Sequence, residues 1–360
     1  MIQDSFQQVL DFRDGLQLLS QLTKQDIMSA LQAAHTAADE YYTVRHALAW
    51  NTDFVFPVEA IDNDASLFQD CGYDFAKMCR YKQSKLAHNR LSTERIFSIL
   101  GPTGTKIPGV SSADFDTLVE FASHGITPIV SPSFKADAVN VAPLRDRYVK
   151  LQHTINKLIY KLYNDGTMII LRRNDAIRIH GLHLSPQHHA DSKGKPEGRI
   201  IGDLSGQHDP QFTPLNGSAH DKDQLRAAIA LKWGEIKHPT VDQLVKMVLT
   251  AADIHGWGNI ILWKKDLKGA FNLLNYNPDY CKWFAFPLTD DIVVIHLAGL
   301  FGWIGMPHAF QVLTRVLQKL CRHLISGLCY WYVDDLMAVS PTTLYVNDSA
   351  IVDSHVQQLL

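Results

Sequence analysis

An α+β fold, with short antiparallel strands packed on amphipathic helices, is what this 360-residue sequence predicts. Three observations carry the prediction. Across 142–165, Tyr148, Leu151, Ile155, Leu158 and Leu162 line one helical face, with Arg145, Lys150, Lys157 and Lys161 as polar companions and Gly166 as the stop. Apolar runs at 328–333 and 336–339 flank Asp334-Asp335 as the arms of a β-hairpin flank its tight turn. After Pro307, which suits a first helical turn, Phe310, Leu313, Leu317 and Leu320 fall on one helix face.

The remaining elements follow in chain order. Residues 1–50 read as helical, with patchy amphipathicity at Phe6, Val9, Leu10, Leu18, Leu19 and Leu22. The Gly-Pro-Thr-rich stretch 101–113 marks a loop or linker. It lacks the adjacent Gly-Lys-Ser/Thr and the buried strand of a phosphate loop. Four histidines between His180 and His189 fit a polar loop better than a metal centre. Ile260-Ile261-Leu262-Trp263 is a buried-strand run that leads to Asp266, a strand end where α/β architectures tend to place functional groups.

Composition bounds the class. Hydrophobic residues make up 46% and charged residues 20%, enough to bury a sizeable core across two domains. No run of eighteen apolar residues appears, so no membrane span is expected. Residues 1–30 carry charges throughout and lack the apolar core of a secretory signal. Five scattered cysteines (71, 79, 281, 321 and 329) suit a reducing, intracellular compartment without a disulfide framework. Cys71, Cys79 and His88 are spaced too loosely for the usual zinc modules. Net charge is −3, unevenly spread: residues 1–144 balance at −6, 145–204 at +5 and 205–360 at −2. A basic block of this kind attracts polyanions such as nucleic acid; a charged helix surface is its plainer reading.

The acidic pair carries the chemistry. Adjacent carboxylates repel and raise each other's pKa unless a cation lies between them. A hard divalent ion held by one or two carboxylates and substrate phosphates removes that strain. With the strand-end carboxylate of Asp266, the pair could hold two cations about 3.5–4 Å apart, the arrangement of two-metal phosphoryl transfer. The plainer alternatives are ordinary turn chemistry for Asp334-Asp335 and an Asp266 that pairs with Lys264 or Lys268.

The order of three blocks is more specific than any one of them. Strand-Asp266-x₄-Phe271, then Phe301-Gly302-x-x-Gly305-x-Pro307-x-x-Phe310-Gln311, then Tyr332-x-Asp334-Asp335 closely resembles the palm of reverse transcriptases, especially those of LTR-type and related retrotransposons. Upstream, Lys193-Gly-Lys195-Pro-Glu-Gly-Arg199-Ile-Ile-Gly-Asp203 looks like the fingers hairpin of the same family. The resemblance covers about 165–345, half the chain. It implies a polymerase-type α+β fold: a mainly helical region of unknown role over 1–140, fingers over 141–217, and a palm over 218–360. Strands at 259–267, 328–333 and 336–340 would be backed by helices at 223–251 and 307–326, a split βαβ arrangement.

The resemblance also implies roles. Asp266, Asp334 and Asp335 would bind two Mg²⁺ ions, for which Mn²⁺ can substitute, with the backbone carbonyl of Leu267 as an extra ligand. Arg199 would lie against the triphosphate, its planar guanidinium suiting phosphate oxygens, with Lys193 or Lys195 supplying an ammonium. Phe271 would block a 2′-hydroxyl and so select dNTPs; plain core packing is its alternative. Gly302 and Gln311 would contact the nucleotide and template side. The implied activity is RNA-directed DNA synthesis on a primed RNA or DNA template, with other retroelement proteins as further partners. A non-catalytic retroelement remnant that binds nucleic acid is the second reading, and an RNA-directed RNA polymerase, which would prefer ribonucleotides, a third.

Departures from the family pattern are also legible. Phe301 replaces a glutamine of the retroviral version, and Ser205 stands where a basic residue is common. Pro214-Leu-Asn216 is displaced by an insertion. The sequence ends 25 residues after Asp335, before the family's primer grip and thumb, so a fragment of a longer polyprotein is expected.

Overall fold

The computed structural model describes residues 54–85, 91–137, 151–192, 195–206, 213–218 and 220–360. The helical reading of 1–50, the first part of the 142–165 helix, and Lys193 lie outside the described residues. Two compact units result: Met1–Phe54 with Ala190–Arg199, and Val55–His189 with Ile200–Leu360. These bounds differ from the divisions at 140 and 217. The first unit includes the outer section of a two-stranded hairpin, β2 (Gln187–Ser192) and β3 (Lys195–Gly202).

The second unit opens with helices α1 (Val58–Asp70), α2 (Phe75–Ser84), α3 (Thr93–Leu100) and α4 (Ser112–His124). Asp74, Ser92 and Ser111 cap α2, α3 and α4, each side chain accepting from the N–H three residues on. These caps satisfy amide donors that a helix start leaves open. The linker predicted over 101–113 is the irregular connection between α3 and α4. Helix α5 (Gln152–Asn164) occupies the described part of 142–165, and Gly166 follows it at φ 69°.

A first antiparallel sheet has the order β1 (Met168–Arg172), β6 (Ile292–His296), β5 (Ala285–Pro287). Met168 pairs with His296 and Arg172 with Ile292. Residues 168–171 are completely buried, with α1 and α5 both packed on β1. That explains why Met-Ile-Ile-Leu is an uninterrupted apolar run.

The second sheet carries the acidic residues. Its order is β4 (Ile260–Asp266), β8 (Asp335–Pro341), β7 (Leu328–Tyr332), all antiparallel. These are the strands predicted at 259–267, 336–340 and 328–333. On one face, Trp263, Ala338, Cys329 and Trp331 are buried, toward α8 (Gly305–Leu324) and α9 (Tyr345–Leu359). On the other, Val339 packs against Met247 and Ala251 of α7 (Val241–His255). No element was predicted over 341–360, where α9 lies.

The single backing helix predicted over 223–251 is two, α6 (Asp221–Trp233) and α7. Gly234, at φ 87°, stops α6. Thr240 then starts α7 with a full capping box, its hydroxyl on the Gln243 N–H and the Gln243 side chain on its own N–H. The helix predicted over 307–326 is α8. Among the described residues, no helix is long and apolar enough to cross a membrane.

Three buried polar groups hold these layers. Asp64 of α1 accepts from Lys82 Nζ (2.7 Å) and from the Ile170 N–H of β1 (2.9 Å). Asp348 of α9 accepts from the Ser326 and Gly327 amides and from Ser340 Oγ, which in turn accepts from Trp263 Nε1. His296, at the end of β6, is enclosed beside Phe286 and Gln187.

Burial pushes the His296 imidazole from its usual 6.5 down to about 3. A folded pKa below the unfolded one means the unfolded chain binds the proton more readily. Stability from this group is therefore complete above 6.5 and lost as pH falls toward about 3, at about 1.4 kcal/mol per pH unit. Denaturant titrations between pH 7 and 4.5 should show that slope, and His296→Gln should flatten it by one proton's worth. Burial shifts His183 the same way, while it raises Asp64, an opposite effect at lower pH. Comparison with the variant isolates His296.

Candidate active site at the β4–β8 strand end

The backbone brings the acidic residues together. Asp266, last residue of β4, is the direct antiparallel partner of Asp335, first residue of β8. Directly opposed Cα atoms in such a pair lie about 4.5–5.5 Å apart, with both side chains on one face. One step further, the Leu267 N–H donates to the Asp334 carbonyl at 2.9 Å, so the ladder continues into the turn. Asp266 is exposed and Asp334 and Asp335 are half-buried.

The turn has an unusual backbone. Tyr332 pairs with Asp335, leaving Val333 and Asp334 as a two-residue loop. Val333 lies at φ 54°, and Asp334 is not among the positive-φ residues. That is the pattern of a type II′ turn, whose first central position normally takes glycine. A β-branched residue there costs about 1–3 kcal/mol, strain that clusters at functional sites.

Around the carboxylates, the charged neighbour of Asp335 is Lys264, at a loose 3.8 Å, while Lys265 on the opposite strand face pairs with Asp353 at 2.6 Å. Lys264 thus lies toward Asp335. Among the described residues, no three His, Cys, Asp or Glu side chains form a converged metal-holding group. The donor chemistry fits a hard divalent ion, since carboxylate oxygens and the Leu267 carbonyl are the oxygen ligands such ions take. The fit lies in the donor set and the strand register.

The other predicted residues occupy distinct places. Phe271, in a 3₁₀ turn over Ala270–Leu273, is 8% exposed. Its ring packs on Phe301 (4.8 Å between centroids) and Phe310 (5.4 Å), so core packing accounts for most of its surface. Gln311 does not offer a free amide: Oε1 accepts from the Lys237 N–H (3.0 Å) and Nε2 donates to the Lys237 carbonyl (2.7 Å). It shapes the 234–240 connection. Arg199 is exposed on β3, and Lys195 begins that strand. Both belong to the other compact unit.

Gly302 has a backbone reason for being glycine. At φ 119°, an added Cβ would lie 1.9 Å from the Gly202 carbonyl oxygen. The close approach is fixed by the Gly202 N–H, which donates to the Phe301 carbonyl at 2.9 Å. Gly302→Ala should therefore cost about 3 kcal/mol from strain and overlap together, read as a lowered midpoint in chemical unfolding.

Asn216 is the residue the sequence reading missed. Its side chain is buried, with Nδ2 donating to the Gly302 carbonyl (2.7 Å) and Ser205 Oγ (3.0 Å), and Oδ1 accepting from the Ile304 N–H (3.0 Å). This one amide fixes the Gly-bearing turn before α8. Tyr332 also acquires a neighbour that no local pattern shows, the His238 ring at 4.6 Å.

No protein-family model matches this chain, and no curated protein matches it either.

Proposed function

We propose that this chain carries out template-directed nucleotidyl transfer of the reverse transcriptase kind, adding dNTPs to a primer 3′-hydroxyl. The observation that carries this reading is the pairing of Asp266 with Asp335 beside the strained Val333-Asp334 turn. Two carboxylates far apart in sequence then share one sheet face, and a third lies in the adjoining turn. Magnesium, when bound, would lower the pKa of the attacking hydroxyl and neutralise charge developing on the transferred phosphate.

The chain's own residues supply the remaining work. Asp266, Asp334 and Asp335 offer fixed anionic oxygens, and the Leu267–Asp334 backbone bond holds the two strand ends in register. Asn216 and Gly302 set the course of the turn into α8. Phe271 and Phe301 form an apolar wall, of which Phe301 is the exposed part. Such a wall favours a sugar lacking its 2′-hydroxyl. Arg199 and the lysines at 193 and 195 carry charges of a kind that suits triphosphate oxygens.

Primer extension tests the reading. With Mg²⁺ or Mn²⁺, a primed RNA or DNA template and dNTPs, the chain is expected to extend the primer, and rNTPs to serve poorly. Ribonucleotide preference would point to the RNA polymerase reading. Absence of extension by folded protein would support the non-catalytic one.

A further inference from the structure

The N-terminal helical region, to which the sequence assigns no role, is built into the walls of the candidate site. Arg315 of α8 makes a bidentate ion pair with Asp114 of α4: Nε lies 3.0 and 3.1 Å from the two carboxylate oxygens, and Nη2 also bonds the carboxylate. The same Nη2 donates to the Trp233 carbonyl at 2.9 Å. One guanidinium thus joins α4, α8 and the end of α6. Side-chain exposures of 34% and 17% place the pair in a partly desolvated setting, where a planar fork holds geometry better than a lone charge.

The segment that this fork grips leads directly to the site. His308 Nδ1 bonds the Gly234 carbonyl at 2.9 Å, and Gln311 clasps both polar groups of Lys237. His308, Gln311 and Arg315 fall at spacings of three and four on α8, so they form one ridge. At the far end of the segment, His238 lies on Tyr332, the residue paired with Asp335. Three further contacts repeat the pattern. Lys232 reaches Glu120 of α4 (3.2 Å), Trp303 Nε1 donates to the Ile129 carbonyl, and the Ser131 N–H donates to the Leu215 carbonyl beside Asn216.

We infer that Asp114 is a positioning residue: through Arg315 it fixes the 233–238 segment that backs the Tyr332–Asp335 turn. Residues 112–131 are then a structural part of the catalytic unit. The catalytic consequence rests on the proposed nucleotidyl transfer; the structural one does not.

Hydrogen exchange on the full chain reads the structural part alone. In Asp114→Asn, peptides covering 233–238 should exchange about tenfold faster or more, the scale of a lost charge-assisted hydrogen bond, with β1 and β6 unchanged. Arg315→Lys, which keeps the charge and loses the fork, should do the same, and Asp114→Glu should restore protection. Under primer extension, Asp114→Asn should lower kcat about 10- to 100-fold, the cost of a small misplacement, with recovery in Asp114→Glu. Unchanged exchange at 233–238, or equal loosening across the fold, would overturn the inference. A wild-type chain without extension activity but with the local exchange effect would refute the nucleotidyl-transfer reading and leave the brace standing.

Discussion

Asp334→Asn and Asp266→Asn should each lower the rate of metal-dependent primer extension by at least about 10²–10³-fold, the scale of losing one preorganised electrostatic contact to a developing charge. Both variants should stay folded. Asn has nearly the shape of Asp, Asp266 is exposed, and it is the Asp334 backbone carbonyl that bonds Leu267. Unfolding midpoints close to wild type would therefore accompany the lost rate. Asp335→Asn should behave likewise and also release the loose contact with Lys264, a surface pair of about 0–1 kcal/mol. Activity that persists at wild-type rate in any of these three variants would remove that residue from the site.

The largest effect on stability should come from the buried Asp64–Lys82 pair. Lys82→Met leaves the Asp64 carboxylate enclosed with the Ile170 N–H as its remaining partner. Breaking a buried pair by removing one partner costs about 3–5 kcal/mol. Burial already pushes the Asp64 carboxyl up, against the pull of Lys82, so without Lys82 the acid should protonate more readily. Part of the loss should then be recovered at mildly acidic pH, because a raised carboxyl pKa stabilises the fold as pH falls. Lys82 also lies over the Tyr163 ring of α5 at 4.6 Å, so the variant loosens α1, α2 and α5 together. The double variant Asp64→Leu/Lys82→Met should regain part of the stability: a packed apolar pair replaces an ion pair at little net cost, while the Ile170 N–H loses its acceptor, at about 1–3 kcal/mol. Denaturant titrations of the single and double variants at pH 7 and pH 5 check these signs.

How much of this was legible beforehand depends on how local each signal is. The three site strands and α8 were readable because each is a short run with a clean period and a turn or proline at its edge. Gly234 and the Thr240–Gln243 cap were also in the sequence, yet the apolar run across 223–251 masked the break between α6 and α7. The shared face of Asp266 and Asp335 followed from motif order, not from spacing, since register between strands seventy residues apart has no local signature. Long-range polar contacts had no signal. Nothing around Asp114, Asp64 or Asn216 shows that the first reaches Arg315, the second Lys82, or the third Gly302. Gln311 is of the same kind: no local pattern shows that its amide clasps a backbone segment 74 residues away.

Binding of Mn²⁺ in the presence of a non-hydrolysable dNTP analogue, followed by electron paramagnetic resonance, tests the central claim most directly. The wild-type chain is expected to take up about two ions per molecule, the two-metal count, and Asp266→Asn and Asp334→Asn to lose that uptake while remaining folded. Equal Mn²⁺ uptake by the wild-type chain and both variants would contradict it.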